Sequence, residues 1–269
     1  MLPTFEIRLP MHDKLFIPFI MSGDPTPELT IKIALLLEEA GASILELGVP
    51  YSDPLADGPV IQRASKRALE QKMTIKKTMM LAGEMRKRGL KIPIVLFTYY
   101  NPVLQLGEES FFALAQENEV DGLLIPDLPF EESEELRNKC EEHQVTYISL
   151  VAPTSQKRIT AISRHAQGFL YCISSLGVTG ERNEFSDTLY SFLEEVKKIS
   201  SVPTAVGFGI SSKEQIEKLK PHCDGFVVGS TLIKMIEKSQ ESFKLDEEKA
   251  LGNLKQQIEE LISPILSER

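Results

Sequence analysis

Short apolar runs and amphipathic segments alternate along most of this 269-residue chain, and the alternation limits the folds open to it. The predicted strands are residues 16–21, 44–48, 94–98, 122–125, 147–150, 169–173, 204–207 and 225–228. The predicted helices after them are residues 28–40, 75–88, 109–118, 131–143, 157–165, 188–199, 213–219 and 231–239. Because each helix must cross back over the sheet, such strands pair in parallel.

Eight strand–helix units can close into a barrel, which removes the exposed edges of a sheet. We therefore predict an α/β fold, a (β/α)8 TIM barrel, as one domain over residues 1–269. An N-terminal extension at 1–14 and extra helices at 60–71 and 246–266 lie outside the eight units. A doubly wound open sheet is the competing fold, and it usually has a glycine-rich nucleotide turn after its first strand. Here the first strand runs into Ser22-Gly23-Asp24-Pro25 instead, which favours the barrel.

Charge and cysteine content exclude several classes of protein. The net charge of −9 argues against a surface for nucleic acid or anionic membrane, since both need a basic patch. Cys140, Cys172 and Cys223 are far apart and lack the spacing of zinc ligands, so we expect no metal site and a reducing compartment. No run resembles a signal peptide or approaches the roughly 20 apolar residues of a membrane span. The sequence thus predicts a cytoplasmic protein.

Two acids stand at the end of the second predicted strand. Glu46 shares a strand face with Ile44 and Gly48, which we assign to the barrel interior, where burial should raise its pKa into the range of general acid–base catalysis. Asp57 ends the loop at 49–60, and catalytic residues of barrels usually come from strand ends and such loops. Two structural alternatives remain open: a hydrogen bond from Glu46 to a neighbouring strand, and a helix cap formed by Asp57 before Gly58-Pro59.

Glycines follow each of the last three predicted strands. They lie in Gly177-Val178-Thr179-Gly180, in Gly207-Phe208-Gly209 and in Gly229-Ser230. Glycine lets main-chain N–H groups approach an anion, and a helix that starts at Ser230 adds its positive end. Phosphate sites of barrels lie at the loops after strands seven and eight. We therefore predict a phosphate site at Gly180, Gly209, Gly229 and Ser230. The long loop 174–187 fits a lid over a ligand, or else an ordinary surface loop.

Together these residues resemble the tryptophan synthase alpha subunit family. The resemblance covers nearly the whole chain in order, and the acid-pair motif is its most specific part. The matching motifs are Pro18-Phe19 with Gly23-Asp24-Pro25, Leu45-Glu46-Leu47-Gly48 through Asp57-Gly58-Pro59, Pro126-Asp127-Leu128-Pro129 with Glu131-Glu132-Ser133, Gly177-Val178-Thr179-Gly180, Gly207-Phe208-Gly209-Ile210 and Gly229-Ser230. The chain departs from the family before Lys14, where Pro3 and Pro10 weaken the helix expected beneath the barrel.

The resemblance implies a retro-aldol cleavage of indole-3-glycerol phosphate into indole and glyceraldehyde 3-phosphate, without a cofactor in this subunit. Glu46 would protonate the indole ring carbon and take the proton of the glycerol hydroxyl. Asp57 would accept a hydrogen bond from the indole N–H as positive charge builds there. The implied substrate contacts are Phe19, Leu96, Leu124, Tyr171 and Thr179.

The same resemblance implies a partner, a beta subunit that takes up the indole in an α2β2 complex and uses pyridoxal phosphate. Its docking surface would lie on the catalytic face, and the expected contacts are Pro50, Asp53, Pro54, Asp127 and Pro129.

Two other functions remain open. The chain could be another barrel enzyme that acts on a phosphorylated sugar or an indole precursor, although such relatives place their acid–base groups differently. It could also be a regulatory subunit that binds substrate and activates a partner with little turnover of its own. An assay of the isolated chain separates the second possibility from a lyase.

Overall fold

Strands and helices alternate through the whole of the described chain. The computed structural model describes residues 4–9, 14–155, 158–173, 187–207 and 209–266. Its strands are β1 (Leu15–Met21), β2 (Leu45–Gly48), β3 (Ile94–Phe97), β4 (Gly122–Leu124), β5 (Thr146–Tyr147), β6 (Ser149–Val151), β7 (Leu170–Ile173), β8 (Thr204–Gly207) and β9 (Gly225–Val228). Its α-helices are α1 (Thr4–Arg8), α2 (Pro27–Glu39), α3 (Pro59–Glu70), α4 (Ile75–Lys87), α5 (Tyr100–Leu106), α6 (Glu108–Glu117), α7 (Glu134–Glu142), α8 (Ile159–His165), α9 (Asp187–Ile199), α10 (Lys213–Leu219), α11 (Ser230–Leu245) and α12 (Glu247–Leu266).

The strands form a parallel sheet that closes on itself. Their order is β5-β4-β3-β2-β1-β9-β8-β7-β6. The two end strands of this order, β5 and β6, are one stretch of chain with only Ile148 between them, and Ile148 N–H still donates to Leu123 O at 2.8 Å. The ring of strands therefore closes through this stretch, and the predicted (β/α)8 TIM barrel is confirmed.

Helix α2 illustrates why the chain folds in this way locally. The hydroxyl of Thr26 accepts from Leu29 N–H at 3.2 Å, and Pro27 occupies the first helical position, where its missing N–H costs nothing. The apolar residues of α2 are buried against the barrel, and Gly41 follows the helix at a φ of +103°. The N-cap, the spacing of the apolar residues and the glycine after the last turn thus all favour a helix with these bounds.

Two predicted elements differ from the observed ones, and one observed helix was not predicted. The predicted fifth strand is divided into β5 and β6, each of which pairs with a different neighbour. The predicted helix 131–143 is a 3-10 turn, Phe130–Glu132, followed by α7. Helix α5 was not predicted; the side chain of Asp127 accepts from its first N–H, that of Tyr100, at 3.0 Å, a contact that sequence spacing does not reveal.

A short helix covers the bottom of the barrel. Pro3 and Pro10 lie outside the described residues, but between them α1 forms and buries Phe5 completely. A Cβ on Gly168 would lie 3.0 Å from the Phe5 ring, so the absence of a side chain there makes room for it. Arg8 donates to the buried Asp121 at 3.0 Å and anchors the helix.

None of the helices that the structure describes is both long and apolar enough to cross a membrane.

Candidate active site

Strand β2 places Glu46 inside the barrel. Glu46 pairs with Phe19 on one side and Val95 on the other, and in a parallel sheet such laterally paired residues share a face. The side chain is 1% exposed, and its Oε1 atom has no hydrogen-bond partner among the described residues. Burial without a partner raises the pKa of Glu46 to about 8. At neutral pH this carboxyl group is therefore mostly protonated and can donate a proton.

Asp57 lies at the end of the loop after β2. It is 5% exposed, and its carboxylate accepts a hydrogen bond from the hydroxyl of Tyr99. Burial raises the pKa of Asp57 to about 6, and the bond from Tyr99 opposes the rise. The N-cap of α3 is Gly58, with no side-chain cap, so the helix-cap alternative for Asp57 is wrong. Asp57 is therefore a buried, mostly ionised carboxylate at neutral pH.

Tyr171 of β7 interacts electrostatically with both acids. The side chain is buried, and its hydroxyl lies against Gly207, where a Cβ would be 2.2 Å from the oxygen. Burial, Glu46 and Asp57 together raise the pKa of Tyr171 well above its usual range. Tyr171 is thus close to both acids and stays a neutral hydroxyl.

An apolar wall stands beside Glu46. The ring of Phe19 lies over Gly48, where a Cβ would come within 2.5 Å of it, and meets the ring of Phe97 edge-on at 5.4 Å between centroids. Gly48 pairs with Phe97, and Phe97 with Leu124, so these residues share the face of Glu46.

Leu96 does not lie on this wall. It pairs with Leu47, and both point to the face opposite Glu46, towards the surrounding helices, because successive strand residues alternate faces. The structure does not bring Leu96 to the site, in contrast to the predicted substrate contact. Phe97, one residue further on, takes its place.

The start of α11, which holds the predicted phosphate residues Gly229 and Ser230, lies beside the same wall. Helix α11 starts at Ser230 with Gly229 as its N-cap, and a Cβ on Gly229 would lie 3.6 Å from the Cβ of Phe19. Thr231 donates to Ile210 O at 2.6 Å and ties this helix start to the loop after β8. Gly209 in that loop has a φ of +92°, a conformation that favours glycine. Thr179 and Gly180 lie outside the described residues.

The predicted docking residues are not equally accessible. Asp53, Asp127 and Pro129 are exposed and Pro54 is half-buried, whereas Pro50 is buried. The structure therefore does not present Pro50 to a partner.

Two site residues were missed in the sequence. Tyr99 follows β3 and holds Asp57, and Phe97 forms the wall. A strict alternation from Val95 would have placed Phe97 on the inner face, but nothing in the sequence pairs Tyr99 with a loop that ends at Asp57. The described residues contain no group of three or more His, Cys, Asp or Glu that could hold a metal ion.

Comparison with known proteins identifies the family of this chain. The family model of the tryptophan synthase alpha chain matches residues 8–263. The chain belongs to this family. It is 62% identical over 253 residues to the tryptophan synthase alpha chain of Geobacillus sp. (strain WCH70), covering 93% of this chain and 96% of that one. It is also 62% identical over 233 residues to that of Bacillus subtilis (strain 168), covering 87% of each.

Solved structures of the family have the same fold. A tryptophan synthase alpha chain from Legionella pneumophila subsp. pneumophila superposes with a TM-score of 0.85 at 33% identity, over 98% of this chain and 99% of that one. A chain of the α2β2 complex from Pyrococcus furiosus gives a TM-score of 0.83 at 36% identity, over 94% of this chain and 100% of that one.

The family defines the reaction. The chain is a carbon–carbon lyase that cleaves indole-3-glycerol phosphate to indole and glyceraldehyde 3-phosphate, the alpha reaction of tryptophan biosynthesis. The Pyrococcus furiosus relative is part of an α2β2 tryptophan synthase complex.

Proposed function

We propose that Glu46 is the general acid and base of this lyase reaction and that Asp57 stabilises the charge that develops on the indole ring. The observation that carries the proposal is the buried carboxyl group of Glu46, whose Oε1 has no hydrogen-bond partner among the described residues and whose pKa is raised. A proton donor with a pKa near the working pH is the most effective general acid.

The proton of Glu46 goes to C3 of the indole ring, which leaves Glu46 ionised and the ring nitrogen positively charged. Asp57 accepts the hydrogen bond of the ring N–H, and its negative charge opposes the developing positive charge. Glu46 then takes the proton of the hydroxyl group next to the ring. The C3–C1′ bond breaks, its electron pair restores the indole ring, and the aldehyde leaves. Glu46 ends protonated, as it began.

The other residues hold the substrate. Phe19, Phe97 and Leu124 form an apolar wall for the flat indole ring. Tyr171, close to both acids, contacts the reacting carbons with a neutral hydroxyl. The main-chain N–H groups at Gly209 and at the start of α11 bind the phosphate, since a helix N-terminus attracts an anion.

The partner receives the indole. We propose that the beta subunit holds pyridoxal phosphate and joins the indole to serine, and that this chain carries no cofactor. The free cysteines Cys140, Cys172 and Cys223 are buried, which supports a reducing cytoplasm as the compartment. We also propose that residues 1–269 act as one domain, with the loops 49–60 and 174–187 on the catalytic face.

Glu46→Gln tests the proposal. The amide keeps the shape of the side chain but carries no transferable proton, so release of indole should fall about 10²–10⁴-fold. Indole is measured from purified protein and indole-3-glycerol phosphate, with and without a beta subunit. Glu260→Gln, on the outer helix α12, is the matched control and should keep full activity. Turnover near that of the unaltered protein in Glu46→Gln, at equal melting temperature, would rule out the role of Glu46.

A further inference from the structure

One tyrosine hydroxyl joins the catalytic loop to the end of β3. Tyr99 is 3% exposed and directly precedes α5. Its oxygen accepts a hydrogen bond from Ala56 N–H at 2.9 Å, which leaves its own proton for the neighbouring carboxylate of Asp57, whose pKa the hydroxyl lowers. A phenol has a single proton to donate. The donation to Asp57 therefore fixes the orientation of the hydroxyl, while the bond from Ala56 fixes the loop beside it.

A second tyrosine holds the first in place. The rings of Tyr51 and Tyr99 lie 5.2 Å apart between centroids, at 32° to each other. The hydroxyl of Tyr51 accepts from Asn101 Nδ2 at 3.0 Å. The main chain of Tyr51 is bonded twice to Ser65 of α3: its N–H donates to Oγ and its carbonyl accepts from Oγ, each at 3.0 Å. The Tyr99 ring is thus packed against a neighbour that is anchored on two helices.

We propose that Tyr99 is a positioning residue of this lyase, which holds the carboxylate of Asp57 and its loop aimed at the ring nitrogen of the indole, and that Tyr51 supports it. This inference rests on the proposed role of Asp57. A hydrogen bond from a neutral donor favours the charged form of a carboxyl group, so it lowers the pH at which the group becomes protonated. Without Tyr99, burial alone would act on Asp57 and protonate it at higher pH.

The charged groups near Asp57 show why the interaction with Tyr99 matters for the pKa of this carboxyl group. Glu46 and Asp57 both act on Tyr171, and Asp127 acts on Tyr99, so the charged groups that the described residues contribute to the inner side are acids. The loop also lines an open groove that Asp57 shares with the cations Arg63 and Lys66. Arg63 is already paired with Glu237 at 2.7 Å. Burial dominates the pKa of Asp57, and Tyr99 is the group that lowers it.

The direct test is the pKa of Asp57 in Tyr99→Phe, measured by ¹³C NMR on protein labelled at the aspartate carboxyl carbon, with Asp57→Asn to assign the signal. Loss of a hydrogen bond to a charged group should raise this pKa by about one unit. The acid limb of kcat/KM, which reports the free enzyme, should move to higher pH by the same amount. Activity should therefore fall about tenfold below pH 6 and much less at pH 7.5.

Two further variants sharpen the test. Replacement of Tyr99 alone by 3-fluorotyrosine makes the phenol a stronger donor, so the pKa of Asp57 and the acid limb should move down, opposite to Tyr99→Phe. Tyr147→Phe is the matched control: Tyr147 is also a buried tyrosine, but it lies on the outer side of the barrel, near Arg137 and Ser133. Neither the pKa of Asp57 nor the pH profile should change in it.

An unchanged pKa of Asp57 and an unchanged acid limb in both Tyr99 variants would overturn the proposal, and Tyr99 would then be a packing residue only. If Tyr99→Phe does not fold, the fluorotyrosine protein decides the question. The NMR measurement needs no substrate, so it remains decisive even if Glu46→Gln disproves the proposed catalytic roles.

Discussion

At the scale of single residues, the surroundings of two carboxyl groups give them different proton affinities. Glu46 has burial and no hydrogen-bond partner for Oε1, and its pKa rises to about 8. Asp57 is also buried but accepts a bond from Tyr99, and its pKa rises only to about 6. When the environments of two carboxyl groups separate their pKa values, the group with the higher pKa can act as a proton donor while the other stays ionised. Between these two values Glu46 holds its proton and Asp57 carries its charge.

This difference predicts the pH dependence of kcat/KM. In the proposed mechanism the active form has Glu46 protonated and Asp57 ionised. Activity should rise as pH increases through about 6, where Asp57 loses its proton, and fall as pH increases through about 8, where Glu46 loses its own. The measurement is kcat/KM for indole-3-glycerol phosphate from pH 5 to 9.5 with the isolated chain. A profile that stays flat between pH 7 and 9.5 would contradict the role of Glu46 as a protonated acid.

Asp57→Asn tests the second carboxyl group. The amide keeps a hydrogen-bond acceptor but loses the charge that opposes the developing indole cation, so kcat should fall about 10²–10³-fold. Stability should change little, since Gly58 and not Asp57 is the N-cap of α3. Turnover and thermal unfolding are measured on the same preparation. A loss of stability with undiminished activity per folded molecule would assign Asp57 a structural role instead.

How much of this site the sequence reveals depends on how far apart along the chain the interacting residues lie. Glu46 stands out because an acid in a buried strand is rare, and its neighbours along the chain are enough to identify it. The predicted substrate contact Leu96 is one position away from Phe97, the residue on the face of Glu46. Alternation divides the residues of a strand between two faces, but it does not say which set points into the barrel. The contact of Tyr99 with Asp57 joins residues that are separated by a whole strand–helix unit. No local pattern encodes such a contact.

At the scale of the elements, most strands and helices could be predicted because hydrophobic period and caps agree. Strand β8, strand β9 and helix α10 have the predicted bounds. Helix α5 and the division between β5 and β6 depend on tertiary contacts, in which Asp127 meets the start of α5 and each half-strand pairs with a different neighbour. The predicted start of α11 at Ser230 is confirmed, and this start is the element on which the phosphate site rests.

Ser230→Asp separates phosphate binding from stability. An added carboxylate in the first turn of α11 should leave stability unchanged or raise it by about 0.3–1 kcal/mol, because the helix N-terminus is partly positive. The same charge should repel the phosphate and raise KM about tenfold or more. Thermal unfolding and KM are the two measurements.

Thr74→Asp is the control for Ser230→Asp. Thr74 is the N-cap of α4, so this substitution adds the same charge at another helix start, away from the wall of Phe19. Its KM should stay that of the unaltered chain. If Ser230→Asp leaves KM unchanged as well, the phosphate is not bound at α11.

At the scale of the whole molecule, the barrel holds the loop after β2 by its ends and leaves its middle exposed. Tyr51 is fixed to α3 through Ser65, and Asp57 is fixed by Tyr99. Between them Asp53 is exposed, and the chain returns at once to the site because Asp57 N–H donates to Pro54 O at 3.2 Å. A partner that contacts the middle of this loop therefore acts within a few bonds of a catalytic carboxylate.

Asp53→Ala should consequently reduce the activation by the beta subunit more than it reduces the basal rate of the isolated chain. The side chain is exposed and outside the acid pair, so its loss removes a contact with the partner while Asp57 keeps its bond to Tyr99. A proline-stiffened loop loses little entropy on docking, which lets a contact at Asp53 shift the position of Asp57 at low cost. Indole release is measured with and without a saturating beta subunit, and Glu260→Ala on α12 serves as the control for the lost charge. Equal reduction of both rates in Asp53→Ala would mean that Asp53 only supports the site and that coupling to the partner runs through other contacts.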